Sequence, residues 1–160
     1  MSNGRTHRSY VSYIDKSRAY YEAHGYERAY QWAHYLEVPF CRLKQSLSES
    51  RLGIVTTADK GKRDAPRNEK LFVESNAHAG SLLTEKSWDR EATHTDDPET
   101  YLPVKRLEEL TQAGRFASLS PRFYGVPTDY SQRLTRERDA PQIERWLRED
   151  AVDTALLVAI

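Results

Sequence analysis

The stretch that decides the fold is the run Asp153-Thr154-Ala155-Leu156-Leu157-Val158-Ala159-Ile160. It is apolar after its first two residues, and it follows an acidic, turn-forming stretch at residues 149–153. A continuous apolar run of this length is typical of a parallel strand that is buried on both faces. The sequence therefore predicts a central strand of an α/β sheet, with any chemistry just beyond the carboxyl ends of the strands.

Earlier segments supply further elements of the same sheet. Residues 52–57, LGIVTT, are rich in β-branched side chains and predict the first strand, and residues 115–119 predict a second strand. Two helices are also predicted. One covers residues 104–113, with the apolar Leu107 and Leu110 three positions apart and Gly114 just past its end. The other begins at Asp139, with Gln142 completing a capping box, and its predicted buried residues are Ile143, Trp146 and Leu147. From residue 52 the order is strand, long irregular connection, helix, strand, loop, helix, strand. This alternation indicates a parallel, Rossmann-like α/β sheet.

The beginning of the chain has a different pattern, with apolar positions close to one helical face. These positions are Tyr10, Tyr13, Ile14 and Tyr21. Gly25 follows as a stop in the left-handed conformation. We expect a helical segment over residues 1–45 and an α/β domain over residues 46–160, together forming one structural unit. The tyrosine stripe is interpreted as a packed helical cap rather than a binding surface.

Composition narrows the class of protein. Lys and Arg number 24 and Asp and Glu number 24, so no basic face predicts nucleic-acid binding. No apolar stretch is long enough to cross a bilayer, and residues 1–8 lack the hydrophobic core of a secretory signal. Cys41 is the single cysteine, which excludes an intrachain disulfide and fits a reducing compartment. We expect a cytoplasmic protein without a membrane or nucleic-acid partner.

Four candidate ligand contacts follow from the predicted strands. Thr56 and Thr57 end the first strand, and Arg122 and Tyr124 lie in the segment 120–130 after the second. Carboxyl ends of parallel strands meet at one rim, so these side chains are candidate substrate contacts. Arg122 has the geometry to grip a carboxylate with two hydrogen bonds, although an arginine in such a position is equally often solvated.

A fifth candidate is His94, which lies between the predicted strands and close to Asp96 and Asp97. The functional interpretation is a general base or a metal ligand set. The alternative is a turn and helix start, because Asp and Thr bind local backbone amides. A single imidazole makes the metal site the weaker interpretation, and the basic loop at residues 59–64 carries no phosphate-binding glycine pattern. We therefore expect no metal and no bound cofactor.

Several ordered blocks of sequence resemble the glycine/sarcosine/betaine reductase selenoprotein B family, which is related to D-proline reductase. The blocks are YIDKSR at 13–18, SLSESR at 46–51, WDREATHTDD at 88–97, LPVKRL at 102–107, LSPRFYGVPT at 119–128 and DTALLV at 153–158. Together they extend over nearly the whole chain.

The resemblance implies an oxidoreductase subunit that acts on a small amino-acid-like substrate. In such reductases a carbonyl-bearing partner subunit captures the substrate amine, and a selenol or thiol attacks the activated carbon to cleave the C–N bond. Electrons arrive through a thioredoxin-type donor, so a disulfide is the formal acceptor in the reverse, bond-forming direction.

One departure from the family concerns the nucleophile. Family members continue from the strand that matches residues 156–160 into a redox motif that begins with selenocysteine or cysteine, and Cys41 matches no part of it. A low-pKa nucleophile is needed at that strand end. We therefore expect an N-terminal part truncated after Ile160, at a selenocysteine codon read as a stop, without a catalytic residue and inactive as written. The alternative is a non-catalytic module that binds a small carboxylate or another protein.

Overall fold

The computed structural model describes residues 12–26, 34–38, 41–60, 71–82, 96–127 and 131–159. The chain divides into two compact units, Met1–Pro39 and Phe40–Ile160. The sequence places the boundary after residue 45.

The first unit contains the helix α1, Tyr13–Ala23. Ser12 caps it, because its hydroxyl accepts a hydrogen bond of 3.3 Å from the backbone N–H of Asp15. Gly25 follows with φ of +79°, which confirms the predicted left-handed stop. Ile14 is exposed rather than buried, and Tyr10 lies outside the described residues.

The second unit is built on a four-stranded sheet with the order β2-β3-β1-β4. Its strands are β1, Arg51–Thr56; β2, Phe72–Ser75; β3, Ser118–Gly125; and β4, Thr154–Val158. β1 pairs in parallel with both β3 and β4, and β2 pairs antiparallel with β3. The α/β class and the mostly parallel sheet are thus confirmed.

Helices pack on the two faces of this sheet. On one face, α2, Val104–Gln112, buries Val104 and Leu107 against a core that includes Ile54 and Phe123. Leu110 was predicted on the same helical face, but it is 41% exposed. On the other face, α3, Ala140–Glu149, buries Ile143, as the sequence predicts, and packs the half-buried Trp146 and Leu147 against Val55 and Tyr124.

The predicted capping box at Asp139 is wrong. Asp139 has helical backbone angles and makes no side-chain cap hydrogen bond to α3, and it is buried. A π-helical turn, Thr135–Asp139, lies directly N-terminal to α3, so the helix extends beyond Asp139 toward the N-terminus. Pro141 follows this turn after Ala140 and lacks an N–H, so the helix widens where a regular α-helical hydrogen bond is unavailable.

β3 extends beyond the strand predicted at residues 115–119. Its register with β1 shifts around Pro121, where two steps along β1 match four steps along β3. Proline cannot donate a hydrogen bond to the ladder and is accepted at such irregularities. Arg122 and Tyr124 therefore lie inside a strand, and their predicted position on the loop beyond it is wrong.

β4 also differs from its prediction as a central strand. Among the described strands it lies at the edge and pairs only with β1. Leu157 is 75% exposed and Leu156 is 39% exposed. An apolar run predicts burial but does not count neighbouring strands, so the sequence did not distinguish an edge from a centre.

We predict that Gly125→Ala destabilises the second unit by about 2–3 kcal/mol. A Cβ at this position would lie 2.1 Å from Cε1 of Phe72, so β2 and β3 would have to separate. Urea unfolding measures the effect as a shift in midpoint. Gly80→Ala is the matched control, because its Cβ would meet nothing closer than 3.9 Å. Equal midpoints for the two variants would contradict the prediction.

Candidate functional site

The carboxyl ends of the parallel strands form one rim, at Thr56, Gly125 and Val158. Backbone hydrogen bonds join neighbouring strands just beyond these ends. The N–H of Thr57 donates to the carbonyl of Val158 at 3.2 Å, and the N–H of Val126 donates to the carbonyl of Thr56 at 3.0 Å. The rim is therefore a continuous backbone surface, and it is the place where the sequence predicts chemistry.

Thr56 is fully buried at this rim. Its hydroxyl donates to the carbonyl of Tyr101 at 3.0 Å and accepts from the N–H of Ala58 at 3.2 Å. The Tyr101 hydroxyl in turn donates to the carbonyl of Leu82 at 3.2 Å. The Thr56 side chain thus connects the end of β1 to the segment before α2 by a hydrogen bond. Thr57 is half-buried and is the more accessible of the two threonines.

A chain of charged side chains borders the rim beside β2. Lys60 forms an ion pair with Glu74, and its ammonium lies 4.7 Å from the centre of the Phe72 ring. The other Glu74 oxygen lies 2.9 Å from Nδ1 of His78. Hydrogen bonds from Lys60 and then His78 lower the pKa of Glu74. No local sequence pattern indicates this group, because Lys60 and Glu74 come together only in the folded chain.

Arg122 and Tyr124 both bind one carboxylate. The Arg122 guanidinium donates to both oxygens of Asp150, each at 2.8 Å, and the Tyr124 hydroxyl donates to Asp150 at 2.5 Å. The Ser120 hydroxyl lies 3.2 Å from the Tyr124 hydroxyl. The two-pronged carboxylate contact anticipated for Arg122 is therefore present, but its carboxylate belongs to the protein. We name Arg122, Tyr124 and Asp150 the Asp150 clamp.

The pKa values of the clamp follow from burial and pairing. Burial alone would raise the pKa of Asp150, but hydrogen bonds from Arg122 and Tyr124, with the nearby guanidinium charges, hold it below its usual value. Burial, and then the hydrogen bond to Asp150, raises the pKa of Tyr124 to about 12. The hydrogen bond to Asp150 raises the pKa of Arg122. The clamp is thus an ionised pair with a neutral tyrosine at ordinary pH.

The clamp lies toward the amino-terminal ends of β1 and β4. Arg51, the first residue of β1, donates to the carbonyl of Asp150 at 2.9 Å, and Asp150 precedes β4 in the chain. Thr56 and Thr57 lie at the opposite ends of these strands. The structure therefore brings the polar atoms of Arg122 and Tyr124 together at Asp150, although the Tyr124 backbone pairs with Val55, next to Thr56.

His94 lies outside the described residues. Of its two neighbouring carboxylates, Asp97 accepts a hydrogen bond of 3.0 Å from the N–H of Glu99 and caps the short helical turn Pro98–Thr100. This confirms the turn-and-helix-start interpretation for Asp97. Across the ranges that the structure describes, no three His, Cys, Asp or Glu side chains are arranged to hold a metal ion.

Cys41 is exposed and lies away from the rim. It lines a groove of about 460 Å³ between residues 41–45, α3 and the amino-terminal end of β4, where Asp153 and Thr154 also line the wall. The cysteine is therefore near the opposite end of β4 from Val158.

Within the described part of the chain, no helix is both long and apolar enough to cross a membrane.

No family model matches the sequence, and searches of curated proteins and of solved structures also found no match. The family resemblance thus rests on the blocks of sequence.

We predict that Thr56→Val lowers the free energy of unfolding by about 1–3 kcal/mol, because it leaves the buried Tyr101 carbonyl and Ala58 N–H without a partner. The shape of the side chain is kept, so packing changes little. Thr100→Val is the control, since the hydroxyl of Thr100 donates to Asp97 at an exposed position. Urea unfolding should show the larger loss for Thr56, and equal losses would contradict this role.

We also predict a pH-dependent contribution from Asp150. The pKa of the Asp150 carboxyl is lower in the folded protein than its usual value, so the ionised form stabilises the fold at pH values above that usual value. The stability difference between the wild type and Asp150→Asn should be constant from neutral pH down to about pH 5 and should shrink as the pH falls below about 4. Glu108→Gln, at an exposed position on α2, should show no such change. Unfolding at several pH values tests this, and a difference that grows in acid would refute it.

Proposed function

We propose that the second unit is the scaffold of a selenol- or thiol-dependent reductase subunit, which cleaves C–N bonds in small amino-acid-like substrates. One observation supports this most. The carboxyl ends of β1 and β4 lie side by side, joined by the hydrogen bond from Thr57 to Val158. In the family that the sequence blocks resemble, the redox motif directly follows the strand matching β4, so it would begin beside Thr57.

The proposal assigns the reacting selenol or thiol to polypeptide outside these 160 residues. The single cysteine, Cys41, lies near the other end of β4 and is too far along the strand to serve the rim. In the proposed reaction the selenolate or thiolate forms a bond to the substrate carbon as the C–N bond breaks and the amine leaves. A second thiol then attacks the chalcogen and releases the carbon, and a thioredoxin-type donor supplies the two electrons that reduce the resulting selenenyl sulfide or disulfide. A carbonyl-bearing partner subunit would present the substrate.

Among the candidate residues, Thr57 and the charged group at Lys60 and Glu74 are the contacts that the rim offers to a substrate. Arg122 is a weaker candidate, because a substrate carboxylate would have to displace Asp150 from both of its hydrogen bonds. A second candidate function, a protein-interaction module, is favoured by the exposed Leu156 and Leu157 of β4.

The test of the reductase proposal is the natural gene product, isolated from cells supplied with radioactive selenite. We expect a labelled polypeptide heavier than the 18.5 kDa of the present chain. The 160-residue chain alone, with a dithiol reductant, should release no amine from glycine, sarcosine or betaine. A selenium-free natural product of 18.5 kDa, or amine release by the chain alone, would contradict the proposal.

A further inference from the structure

The two edges of the sheet differ in how they are protected. The edge at β2 carries Glu74, which is paired with Lys60 and His78. Charges of this kind block the addition of further strands. The edge at β4, Thr154–Val158, has no charged residue, and Leu157 is 75% exposed there. The β4 edge therefore has the features of a strand that pairs with another chain.

The backbone of β4 is also open for pairing. The carbonyl of Val158 accepts a hydrogen bond from Thr57, so Val158 directs its polar groups toward β1. Backbone groups of successive residues point to alternate sides of a strand. Ala155 and Leu157 therefore direct their N–H and C=O groups away from β1. No strand within the described ranges pairs with this side.

We propose that two copies of this chain pair through β4, antiparallel, about a two-fold axis at Leu156. In this register Ala155 of each copy faces Leu157 of the other, and both residues have outward-pointing polar groups. Each such pair exchanges both N–H···O bonds. The two Leu156 residues face one another as a non-hydrogen-bonded pair, with Cα atoms about 4.5 Å apart.

The side chains fit the same register. Ala155 and Leu157 lie on the face of the sheet that α3 covers, because their partners in β1 are Gly53 and Val55. Ala155 also lines the groove of about 460 Å³ that Leu147 borders. Leu157 of the second copy would lie beside Ala155, at the mouth of this groove. A large side chain thus meets a small one, twice, by symmetry.

This self-complementarity favours a second copy over an unrelated strand. Any extended peptide could form backbone hydrogen bonds with β4. When two copies of β4 pair antiparallel, leucine also lies opposite alanine, and no two like charges face each other. A contact through one short edge strand belongs to the small, transient class of interfaces, which bury less than about 1,200 Å² in total, so we expect weak association with a dissociation constant on the order of micromolar. Pairing along the edge leaves the carboxyl-end rim open, and it requires that the polypeptide which the reductase proposal adds after Ile160 does not occupy the β4 edge. The natural gene product should therefore associate as the 160-residue chain does, and a monomeric natural gene product would overturn the pairing but not the reductase proposal.

Sedimentation equilibrium of the 160-residue chain tests the pairing. Between about 1 and about 200 μM we expect the mass to rise from 18.5 kDa to twice that value. Leu157→Pro removes only an outward N–H, which an edge strand tolerates, and should raise the dissociation constant at least about tenfold. Leu157→Lys should do the same if the proline variant folds poorly. Leu110→Lys is the matched control, since Leu110 is an exposed leucine on α2, and it should leave association unchanged.

A cross-link fixes the register. In a Cys41→Ser background, Leu156→Cys should oxidise to a disulfide-linked dimer, because the expected Cα separation of about 4.5 Å lies within the range for disulfides. Leu110→Cys in the same background should stay monomeric. A mass of 18.5 kDa at every concentration would overturn the proposal. Association that both Leu157 variants leave intact, without the Leu156 cross-link, would also overturn it by placing the contact elsewhere.

Discussion

The structure of the second unit depends on the Asp150 clamp. Asp150 follows α3 directly, and its carboxylate is held by Arg122 and Tyr124 of β3 while its carbonyl is held by Arg51 of β1. The Asp150 side chain is only 12% exposed, so its charge must be paired there. One residue thereby fixes the end of a helix to two strands. The chain that leaves it as β4 has little freedom in where it pairs.

The geometry of the rim follows from this constraint. Because β4 begins beside Arg51, it runs in register with β1 and ends with Val158 next to Thr57. At the same end, the Thr56 hydroxyl binds the segment that leads into α2, so both layers of helices are tied to β1. The two candidate threonines therefore differ in burial and in their structural role. Thr56 is buried and stabilises the fold through its hydrogen bonds, whereas Thr57 is half-buried at the rim.

Local patterns in the sequence were sufficient for the elements but not for the clamp. β-branched residues predict β1, and helical spacing places Ile143, Trp146 and Leu147 on the face of α3 that packs on the sheet, although only Ile143 of the three is buried. Gly114 follows α2 with φ of +72°, as a helix stop requires. The contact of Arg122 with Asp150 joins residues 28 positions apart, and no local pattern encodes it. The sequence predicts Pro121 in the segment after the second strand, whereas the structure places it inside β3, because a register shift that admits proline arises only when two strands pair.

The clearest tension between sequence and structure lies in β4. Its composition is that of a strand buried on both faces, yet among the described residues it has one neighbour and presents Leu157 to solvent. Exposed apolar edges promote association, and the β2 edge of this same sheet carries the charges that prevent it. The missing charges on β4 are therefore informative. A sequence that protects one sheet edge with charges and leaves the other apolar favours a β4 edge that is covered in the working protein. Pairing of two β4 strands would cover this edge, because each strand offers outward-pointing backbone groups and complementary side chains to the other.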